Sequence, residues 1–264
     1  MTIDFHTHIF PDALSEKALK SLREGCEDAY IPVHDATKAG LLAYMKDSGV
    51  GASVILPVIT RQSQFKSAND FAAGAACEKI IAFGGLFPHT DDYKRDADYI
   101  CSLGLKGVKF HAEYQDFVLD DPRMLKIYDY CLSKGLIIVH HAGFDPAFKP
   151  PFKTSPQGFK KISETLGGGV IVAAHLGGHG QWDAVLEHLA GSRVYLDTSM
   201  GFEYYDTPMF LKIAQKHGYD KILFGSDGPW SDAKSEIERI KALPVGQDEK
   251  NAVLSENAKR LLGL

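Results

Sequence analysis

Short runs of apolar and β-branched residues recur along the chain, and each run is followed by a segment with a helical pattern. The runs predict eight strands, which begin 24 to 34 residues apart after a longer first interval of 49 residues. They lie at Ile3–Phe5, Ala52–Val58, Ile80–Leu86, Gly107–Phe110, Leu136–Val139, Val170–Ala174, Val194–Asp197 and Ile222–Gly225. Several runs are apolar without alternation, which is typical of parallel strands that are covered on both faces.

The segments between these runs carry helix signals. Asp121 and Pro122 are typical of an N-cap followed by proline in the first helical turn, and Gly135 is placed to end that helix. Similar reasoning predicts further helices near residues 38–48, 67–78, 92–103, 156–166, 181–190, 208–217, 232–242 and 248–262.

Eight strands alternating with helices over 264 residues predict an α/β protein that is a single-domain (β/α)8 TIM barrel spanning residues 1–264. An open doubly wound sheet is the structural alternative. That fold is expected to carry a glycine fingerprint after its first strand, and the segment DFHTHIFP lacks one.

Two long segments follow predicted strands and therefore border the face on which TIM-barrel active sites form. The first is an insertion at about residues 9–51. The second, residues 142–155, is rich in proline and phenylalanine, and it is interpreted either as a lid or as a rigid apolar loop.

Composition narrows the class of protein. The hydrophobic fraction of 45% and the charged fraction of 24% allow a large core, and a formal net charge of −5 leaves no basic surface for nucleic acid or an anionic membrane. The glycine-rich uncharged stretch 166–182 is too short and too polar to span a bilayer. No leader-like segment begins the chain, so a cytoplasmic location is expected. The four cysteines form no CxxC pair, and buried free thiols are expected.

Histidines fall where strands are predicted to end. His6 and His8 lie two apart at the end of strand one, so both can point to one side. Other candidates follow strands four, five, six and eight: His111, His140, His141, His175 and Asp227. Any one of these is more often an ordinary core or surface residue, but scattered histidines have no reason to follow the strand period. Imidazoles and a carboxylate converging on the mouth of a barrel predict a site for zinc or a similar ion.

The residues themselves leave two questions open. His140 and His141 are neighbours on a strand, so only one of them can face the barrel mouth. Lys109 shares a side with His111. It could serve a second metal as a modified lysine, contact an anionic substrate group, or lie buried beside a carboxylate.

Five motifs occur in the order expected for one family, and together they span nearly the whole chain. IDFHTHIFP, GVKFH, IIVHHAG, AAHLGG and LFGSDGPW resemble the strand-end motifs of the amidohydrolase superfamily. The ending ENAKRLLGL also resembles that of the "amidohydrolase 2" branch. This branch groups metal-dependent hydrolases with aminocarboxymuconate-semialdehyde-type decarboxylases.

The resemblance implies one divalent ion per chain, with zinc first and manganese or another metal as alternatives. It implies His6, His8, His140 and Asp227 as ligands, with His140 chosen because the family pattern is apolar-apolar-His-x-Gly. His175 would lie beside the bound water. A homodimer is a further implication of the resemblance.

These roles imply a mechanism in which the ion lowers the pKa of bound water to about 7. Asp227 would orient that water and accept its proton, while His175 would polarise a carbonyl or protonate the leaving group. The candidates for substrate binding are Arg61, Lys109, His111 and Trp230, with Tyr204 as a further ring.

Two reactions fit this set of ligands. The first is hydrolysis of a C–O or C–N bond in a lactone, ester or amide of a small carboxylated metabolite, which the compact chain length favours. The second is non-oxidative decarboxylation of an aromatic or unsaturated acid. A barrel that binds a metal or ligand without catalysis is the alternative from another class, and it predicts that no open coordination position exists.

Overall fold

Eight parallel strands form the centre of the computed structural model, which describes residues 1–264. All eight predicted strands are present. They are β1 Thr2–Thr7, β2 Val50–Ile55, β3 Ile80–Ala82 with its continuation Gly84–Gly85, β4 Gly107–Phe110, β5 Ile137–His140, β6 Ile171–Ala173, β7 Tyr195–Asp197 and β8 Ile222–Leu223.

Hydrogen bonds between the last strand and the first bring the two edges of the sheet together. The strands pair in parallel and in chain order. Across the interruption in β3, the Phe83 amide donates to the Ile55 carbonyl at 3.1 Å. The Phe5 amide donates to the Phe224 carbonyl, and the segment after β8 continues along β1. The chain is therefore a single-domain TIM barrel, and the carboxyl ends of its strands share one rim.

A bulge in β1 places the histidine pair on that rim. Asp4 pairs with Ser53 and Thr7 pairs with Ile55, so β1 has one residue more than β2 between these points. Bulges redirect side chains and are common beside active sites. Phe5 packs inside the barrel, and the next residue, His6, also lines the mouth. Because of the extra residue, β1 contributes the side chain of Phe5 to the core and the next side chain, His6, to the rim.

Helices cover the outside of the barrel close to their predicted positions. They are α1 Asp12–Gly25, α2 Lys38–Ser48, α3 Phe65–Ala75, α4 Tyr93–Ser102, α5 Ala112–Gln115, α6 Pro122–Ser133, α7 Pro156–Thr165, α8 Trp182–Ala184 continuing as a π-helix Val185–Leu189, α9 Thr207–His217, α10 Ala233–Lys241 and α11 Gln247–Asn251, which continues through Ala252–Glu256 and Asn257–Leu262. Asp121 caps α6 by accepting a hydrogen bond from the Arg123 amide, as the sequence predicted. No helix is both long enough and apolar enough to cross a membrane.

The predicted insertion at residues 9–51 contains a 14-residue helix, α1, that the sequence pattern did not reveal. Two usual signals are missing. Pro11 at its N-cap position makes no side-chain cap, and only Ser15 and Leu19 of the helix are buried. Leu14, Ala18 and Leu22 nevertheless recur at helical spacing, a signal that could have revealed this helix.

Two apolar layers fix which side of each strand a residue faces. The inner cluster has twelve buried residues, of which ten, among them Phe5, Ile137 and Val139, come from the strands or positions next to them and two come from the last helix. A second cluster of 50 buried residues packs between strands and helices. Ile138 belongs to this outer cluster. The alternation along β5 therefore decides which histidine at its end can reach the mouth.

The cysteines are all free, as predicted, but they are not all buried. Cys26 and Cys131 are buried, Cys101 is partly buried and Cys77 is exposed. The expectation of a buried thiol was wrong for Cys77 because it follows α3 in the short turn that leads into β3, on the outside of the barrel.

A buried carboxylate on α10 supports the loop after β7. Oε2 of Glu236 accepts a hydrogen bond from the Phe202 amide at 3.0 Å. A Cβ on Gly201 would lie 2.3 Å from that oxygen, so the close approach requires glycine there. Burial raises the pKa of Glu236 to about 7.

This carboxyl predicts a pH dependence of stability. Because its pKa is higher in the folded chain than the value of about 4.3 expected in an unfolded chain, the folded state binds more protons between these values. Its stabilising contribution is present in full below about pH 4 and is lost as the pH rises through 7. Glu236→Gln keeps an acceptor for Phe202 and should reduce the fall in unfolding free energy between pH 5 and 8, measured by urea titration. Glu238→Gln, exposed on the same helix, should leave that fall unchanged, and equal falls in all three proteins would contradict the prediction.

Candidate active site

Two histidines and a carboxylate meet where β1 and β8 end. Nε2 of His6 and Nε2 of His8 lie 3.2 Å and 3.0 Å from Oδ1 of Asp227. One ligand atom from each residue lies within 4.8 Å of the other two, and all three residues line one pocket. The structure thus brings together three of the four residues that the resemblance implied as ligands.

Hydrogen bonds behind the two histidines determine which ring nitrogen faces Asp227. Nδ1 of His8 lies 2.8 Å from the Leu56 carbonyl oxygen, which can only accept, so Nδ1 donates. Nδ1 of His6 lies 2.9 Å from Oδ2 of Asp197 and has the same role. Burial lowers the pKa of His8 and favours its neutral form. In the neutral form that a metal ligand requires, each ring directs its Nε2 lone pair towards Asp227.

The donor atoms of this group fit a divalent metal ion. Burial alone would raise the pKa of Asp227, but positive charge at the positions of His6 and His8 outweighs it and holds that pKa well below its usual value. With neutral rings that charge has to come from a cation, because an Nε2 lone pair about 3 Å from a carboxylate oxygen repels it. The amino group of Lys109 contacts Nε2 of His6, whereas Nε2 of His8 faces Asp227 without a cation. Imidazole nitrogen and carboxylate oxygen are the ligands that zinc and similar ions take in catalytic sites.

Left-handed backbone conformations aim two of the side chains. Asp227 has a φ of 67° and His175 a φ of 56°, values that residues other than glycine adopt infrequently. The Asp227 amide donates to the His6 carbonyl at 2.8 Å, which holds this turn against β1. Such conformations persist where the surrounding structure imposes them, and they concentrate at functional sites.

His175 joins the histidine pair to a second part of the mouth. Its ring lies 5.4 Å from the ring of His6, measured between centroids, and its Nε2 lies 2.9 Å from Nδ1 of His141. On the other side, Nδ1 of His175 lies 3.2 Å from the Ser199 carbonyl oxygen and donates to it. His175 therefore has a fixed orientation beside the predicted ligands.

The structure corrects the choice between the two histidines of strand five. His140 points into the outer layer, where its ring stacks on Phe110 and packs edge-on against Tyr128 and Phe159. Neither ring nitrogen has a hydrogen-bond partner. His141 faces the mouth instead, because it continues the inward side of Ile137 and Val139. The segment His141-Ala142-Gly143 also has the His-x-Gly spacing, a signal that favours this residue.

The residues predicted to bind substrate divide into two groups. Lys109, His111 and Trp230 line the pocket. Arg61 does not, because it begins the turn Gln62–Gln64 after β2 with its side chain exposed, so the geometry gives its predicted role no support. Tyr204 lies at the edge of the site, 4.9 Å from the ring of His179.

Lys109 is buried within the barrel and contacts the histidine pair. Its Nζ lies 2.8 Å from Nε2 of His6. Burial lowers the pKa of Lys109 to about 8, against the opposing charges of Asp227 and Asp197. Its amino group therefore belongs to the same hydrogen-bonded group as the predicted ligands.

The pocket is a cavity of about 220 Å³ with a largely apolar and aromatic wall. Side chains from α1, from the segment after it and from the loop after β5 complete this wall, and they include Leu22, Cys26, Tyr30, Phe144 and Pro146. Lys109 is the one lysine or arginine among the lining residues. The wall suits a small, mainly apolar ligand.

Three site residues were not predicted from the sequence. Asp197 ends β7, and its position after a predicted strand was a signal that could have revealed it. Asp145 and His179 lie in loops and line the pocket. The loop that carries Asp145 is tied at Gly143, whose amide donates to Thr154 Oγ1 at 3.0 Å. Loop paths of this kind leave no periodic pattern in the sequence.

The fold and the site define a class: a TIM barrel with a group of histidines and a carboxylate, suited to a metal ion, at the mouth. The sequence model of the Amidohydrolase family matches residues 3–264, and the chain belongs to that family. The family is metal-dependent. No curated protein matches the chain.

Solved structures with the same fold include enzymes of two reaction types. A TIM-barrel protein from Bordetella bronchiseptica is 19% identical, with 99% of this chain and 98% of that chain covered and a TM-score of 0.78. A manganese-bound 5-carboxyvanillate decarboxylase from Novosphingobium aromaticivorans is 14% identical, with 100% and 97% covered and a TM-score of 0.75. A probable 2-pyrone-4,6-dicarboxylic acid hydrolase from Acinetobacter baumannii is 16% identical, with 100% and 99% covered and a TM-score of 0.67. At these identities the likeness shows the fold.

The orientation of β5 predicts opposite effects for two neighbouring substitutions. His140→Leu should keep the metal content of the protein and raise its unfolding free energy by about 1 kcal/mol, since it removes buried polar atoms that have no partner. His141→Leu should lower the metal content, because this ring faces the mouth. Elemental analysis and urea unfolding of both variants measure these effects. Loss of metal in His140→Leu alone would restore His140 as the ligand.

Asp197 is predicted to position the histidine pair. Its Oδ2 accepts from His6, while its Oδ1 accepts from the amides of His175 and Ser199 and from the Ser199 hydroxyl. Loss of such a partner behind a ligand weakens metal binding about 10–100-fold. Asp197→Asn should show this weakening in a competitive chelator titration, whereas Glu236→Gln, a buried carboxylate away from the site, should not. Equal affinities in Asp197→Asn and the unchanged protein would assign Asp197 a purely structural role.

Proposed function

We propose that this protein is a metal-dependent hydrolase that cleaves a C–O or C–N bond in a small lactone, ester or amide. One observation carries the proposal: His6, His8 and Asp227 form a group suited to a metal ion that opens directly onto an apolar pocket. Family membership supports the requirement for a metal. Zinc is the first candidate from the donor atoms, and manganese, present in the Novosphingobium decarboxylase, is the second.

When bound, a divalent ion supplies Lewis-acid polarisation of an oxygen atom and lowers the pKa of water to about 7. The carboxylate of Asp227 is placed to orient water at the open side of the group and to accept its proton. His175 is positioned by Ser199 and His141, and it would polarise the substrate carbonyl or donate a proton to the leaving group.

The pocket wall limits the substrate. With Arg61 outside the site, Lys109 is the one cationic side chain on the wall apart from histidines, and it is held against His6. A substrate with several carboxylates would leave most of its charge without a partner. Tyr30, Tyr114 and Trp230 offer aromatic surface instead. We infer that the substrate is a small cyclic or aromatic compound with at most one carboxylate.

Decarboxylation of an aromatic acid is the second candidate, and the same wall favours it. An apolar pocket beside a metal site would desolvate a single substrate carboxylate. Loss of carbon dioxide also needs no water as a reactant. The decarboxylase that shares the fold acts on a substituted aromatic acid according to its name. The two candidates differ in whether solvent oxygen enters the product.

Oxygen-18 water separates the two reactions. The protein is loaded with zinc or manganese and incubated with a panel of aryl lactones and esters and a panel of hydroxybenzoates. Label should enter the product carboxyl group of the first panel, and Asp227→Asn should lower turnover about 10²–10⁴-fold. Arg61→Gln, whose side chain lies outside the pocket, should retain turnover. Release of carbon dioxide from the second panel, with no label incorporated, would favour the decarboxylase.

A further inference from the structure

A second carboxylate on the pocket wall, that of Asp145, has no part in the proposed mechanism. Among the residues that line the pocket, Asp145 and Asp227 are the two acids. Asp227 faces the histidine pair, whereas Asp145 lies in the loop after β5. The side chain of Asp145 is 14% exposed and forms no ion pair with a lysine or arginine. A mostly buried carboxylate gains stability from a partner that donates a hydrogen bond or carries positive charge.

A close approach of two chain segments fixes the position of this acid. Gly143, two residues before Asp145, pairs in parallel with His179 beyond the end of β6. The His179 amide donates to the Ala142 carbonyl at 2.8 Å, and the Phe144 amide donates to the His179 carbonyl at 3.0 Å. A Cβ on Gly143 would lie 2.4 Å from the His179 nitrogen, and the φ of Gly143 is 89°, so this position requires glycine. The start of the loop is therefore a rigid extension of the barrel.

The contacts of the Asp145 carboxylate within the protein leave part of it free to bind a ligand. Its Oδ1 accepts a hydrogen bond from the Ala147 amide at 2.8 Å. Its Oδ2 lies 3.2 Å from Nε2 of His111. A carboxylate has about four acceptor positions, so these two contacts leave some of them unused. Since Asp145 lines the pocket, an unused position is available to a bound molecule.

A histidine that also lines the pocket supplies a second polar contact near this acid. His179 is 5% exposed, and the centroid of its ring lies 4.9 Å from that of Tyr204 and 5.6 Å from that of Phe144. Burial lowers the pKa of His179, against the charges of Asp227 and Asp145, and so favours the neutral ring. A neutral imidazole has one donor and one acceptor. It offers a hydrogen bond to a ligand and does not neutralise Asp145.

We propose that Asp145 is a specificity-determining residue that accepts a hydrogen bond from a donor group of the substrate, either a hydroxyl or a protonated amine. The inference rests on the proposed function, and it narrows the substrate to a cyclic or aromatic compound that carries such a group on its ring or on a short side arm. A hydroxyl would donate to Asp145 and form a second hydrogen bond with His179. A protonated amine would also neutralise the carboxylate.

A purely structural role for Asp145 is the competing explanation. Its side chain accepts from the Ala147 amide, and its carbonyl accepts from the Phe148 amide at 3.0 Å, so both contacts shape the loop. Asp145→Asn separates the two explanations. Asparagine keeps an oxygen for the Ala147 amide and leaves the backbone contact unchanged, but it places a donor NH₂ group where Oδ2 had been an acceptor.

Binding of matched ligands tests the proposal. The zinc-loaded full chain is titrated in a calorimeter with benzoates that carry a hydroxyl, an aminomethyl or a methyl group at the meta or para position. Ortho groups are avoided because they can chelate a metal ion together with the carboxylate. The hydroxyl or the aminomethyl ligand should bind about 10–100-fold more tightly than the methyl ligand, the range expected for one hydrogen bond to a charged group. The tighter of these two ligands identifies the donor.

Two variants assign the preference to one side chain. Asp145→Asn should bind the aminomethyl ligand no more tightly than the methyl ligand, and the advantage of the hydroxyl ligand should shrink. Glu113→Gln changes a buried acid that does not line the pocket, and it should keep the wild-type ranking. Zinc content, measured by elemental analysis, should be the same in both variants and the wild-type protein. Loss of zinc in Asp145→Asn would make Asp145 a metal ligand and overturn the proposal.

Equal affinities of the three ligands for the wild-type protein at both ring positions would also overturn it, as would an unchanged ranking in Asp145→Asn. The wild-type comparison needs no variant, so it decides the question even if Asp145→Asn fails to fold by far-ultraviolet circular dichroism. Failure of the proposed hydrolysis is a separate outcome. A protein that ranks the ligands as expected but hydrolyses no ester or lactone would keep the specificity role and reject the reaction.

Discussion

The chemistry of this protein depends on the strict alternation of side chains along short strands that are buried on both faces. Inward residues either fill the barrel or line its mouth, while outward residues join the layer beneath the helices. A shift of one position moves a side chain from one environment to the other. At the end of β5 this separates His141, which faces the pocket, from His140, which packs among aromatic rings. In β1 the bulge between Asp4 and Thr7 changes the alternation and brings His6 to the mouth just after Phe5 fills the core.

Much of the fold could be predicted because its signals are local and repeated. Apolar runs at regular spacing predicted the strands, and the cap at Asp121 predicted the start of α6. The collection of histidines at one rim followed from parallel strands alone. The orientation of β5 could not be predicted from pattern, since Ile137, Ile138 and Val139 are equally apolar on both faces. Helix α1 was missed although Leu14, Ala18 and Leu22 recur at helical spacing, since Pro11 offers no N-cap side chain to mark its start.

The other differences between the predicted and the observed site have a separate cause. Asp145 reaches the pocket through the path of an irregular loop, and Arg61 leaves it because the chain turns outward after β2. Neither loop path leaves a periodic pattern in the sequence. A position just after a strand therefore identifies candidate site residues but does not show which of them reach the pocket. Asp197 differs, because it ends a strand that was predicted, and its side chain acts on His6 from within the barrel.

The mouth is built from polar groups that do not satisfy one another. The Nε2 lone pair of His8 faces a carboxylate, and the buried Nε2 of His141 has no partner. Each such group opposes folding by roughly 1–3 kcal/mol. The cluster of 50 buried residues around the barrel supplies the opposing stabilisation, and the rigid strand ends keep these side chains from turning towards better partners. An arrangement that folding alone disfavours is therefore held ready for a cation.

The pocket wall, more than the strand ends, distinguishes one substrate from another. Under the proposed function, residues at the strand ends polarise an oxygen atom and move a proton, and both hydrolysis and decarboxylation would use them. The selective surfaces come from α1 and the loop after β5, through residues such as Leu22, Tyr30 and Phe144. These segments bring aromatic area and no arginine to the pocket. In the proposed reaction a substrate would gain binding energy from contacts between these segments and its apolar part. The bond to be cleaved would then be the one that this binding places beside Asp227 and His175.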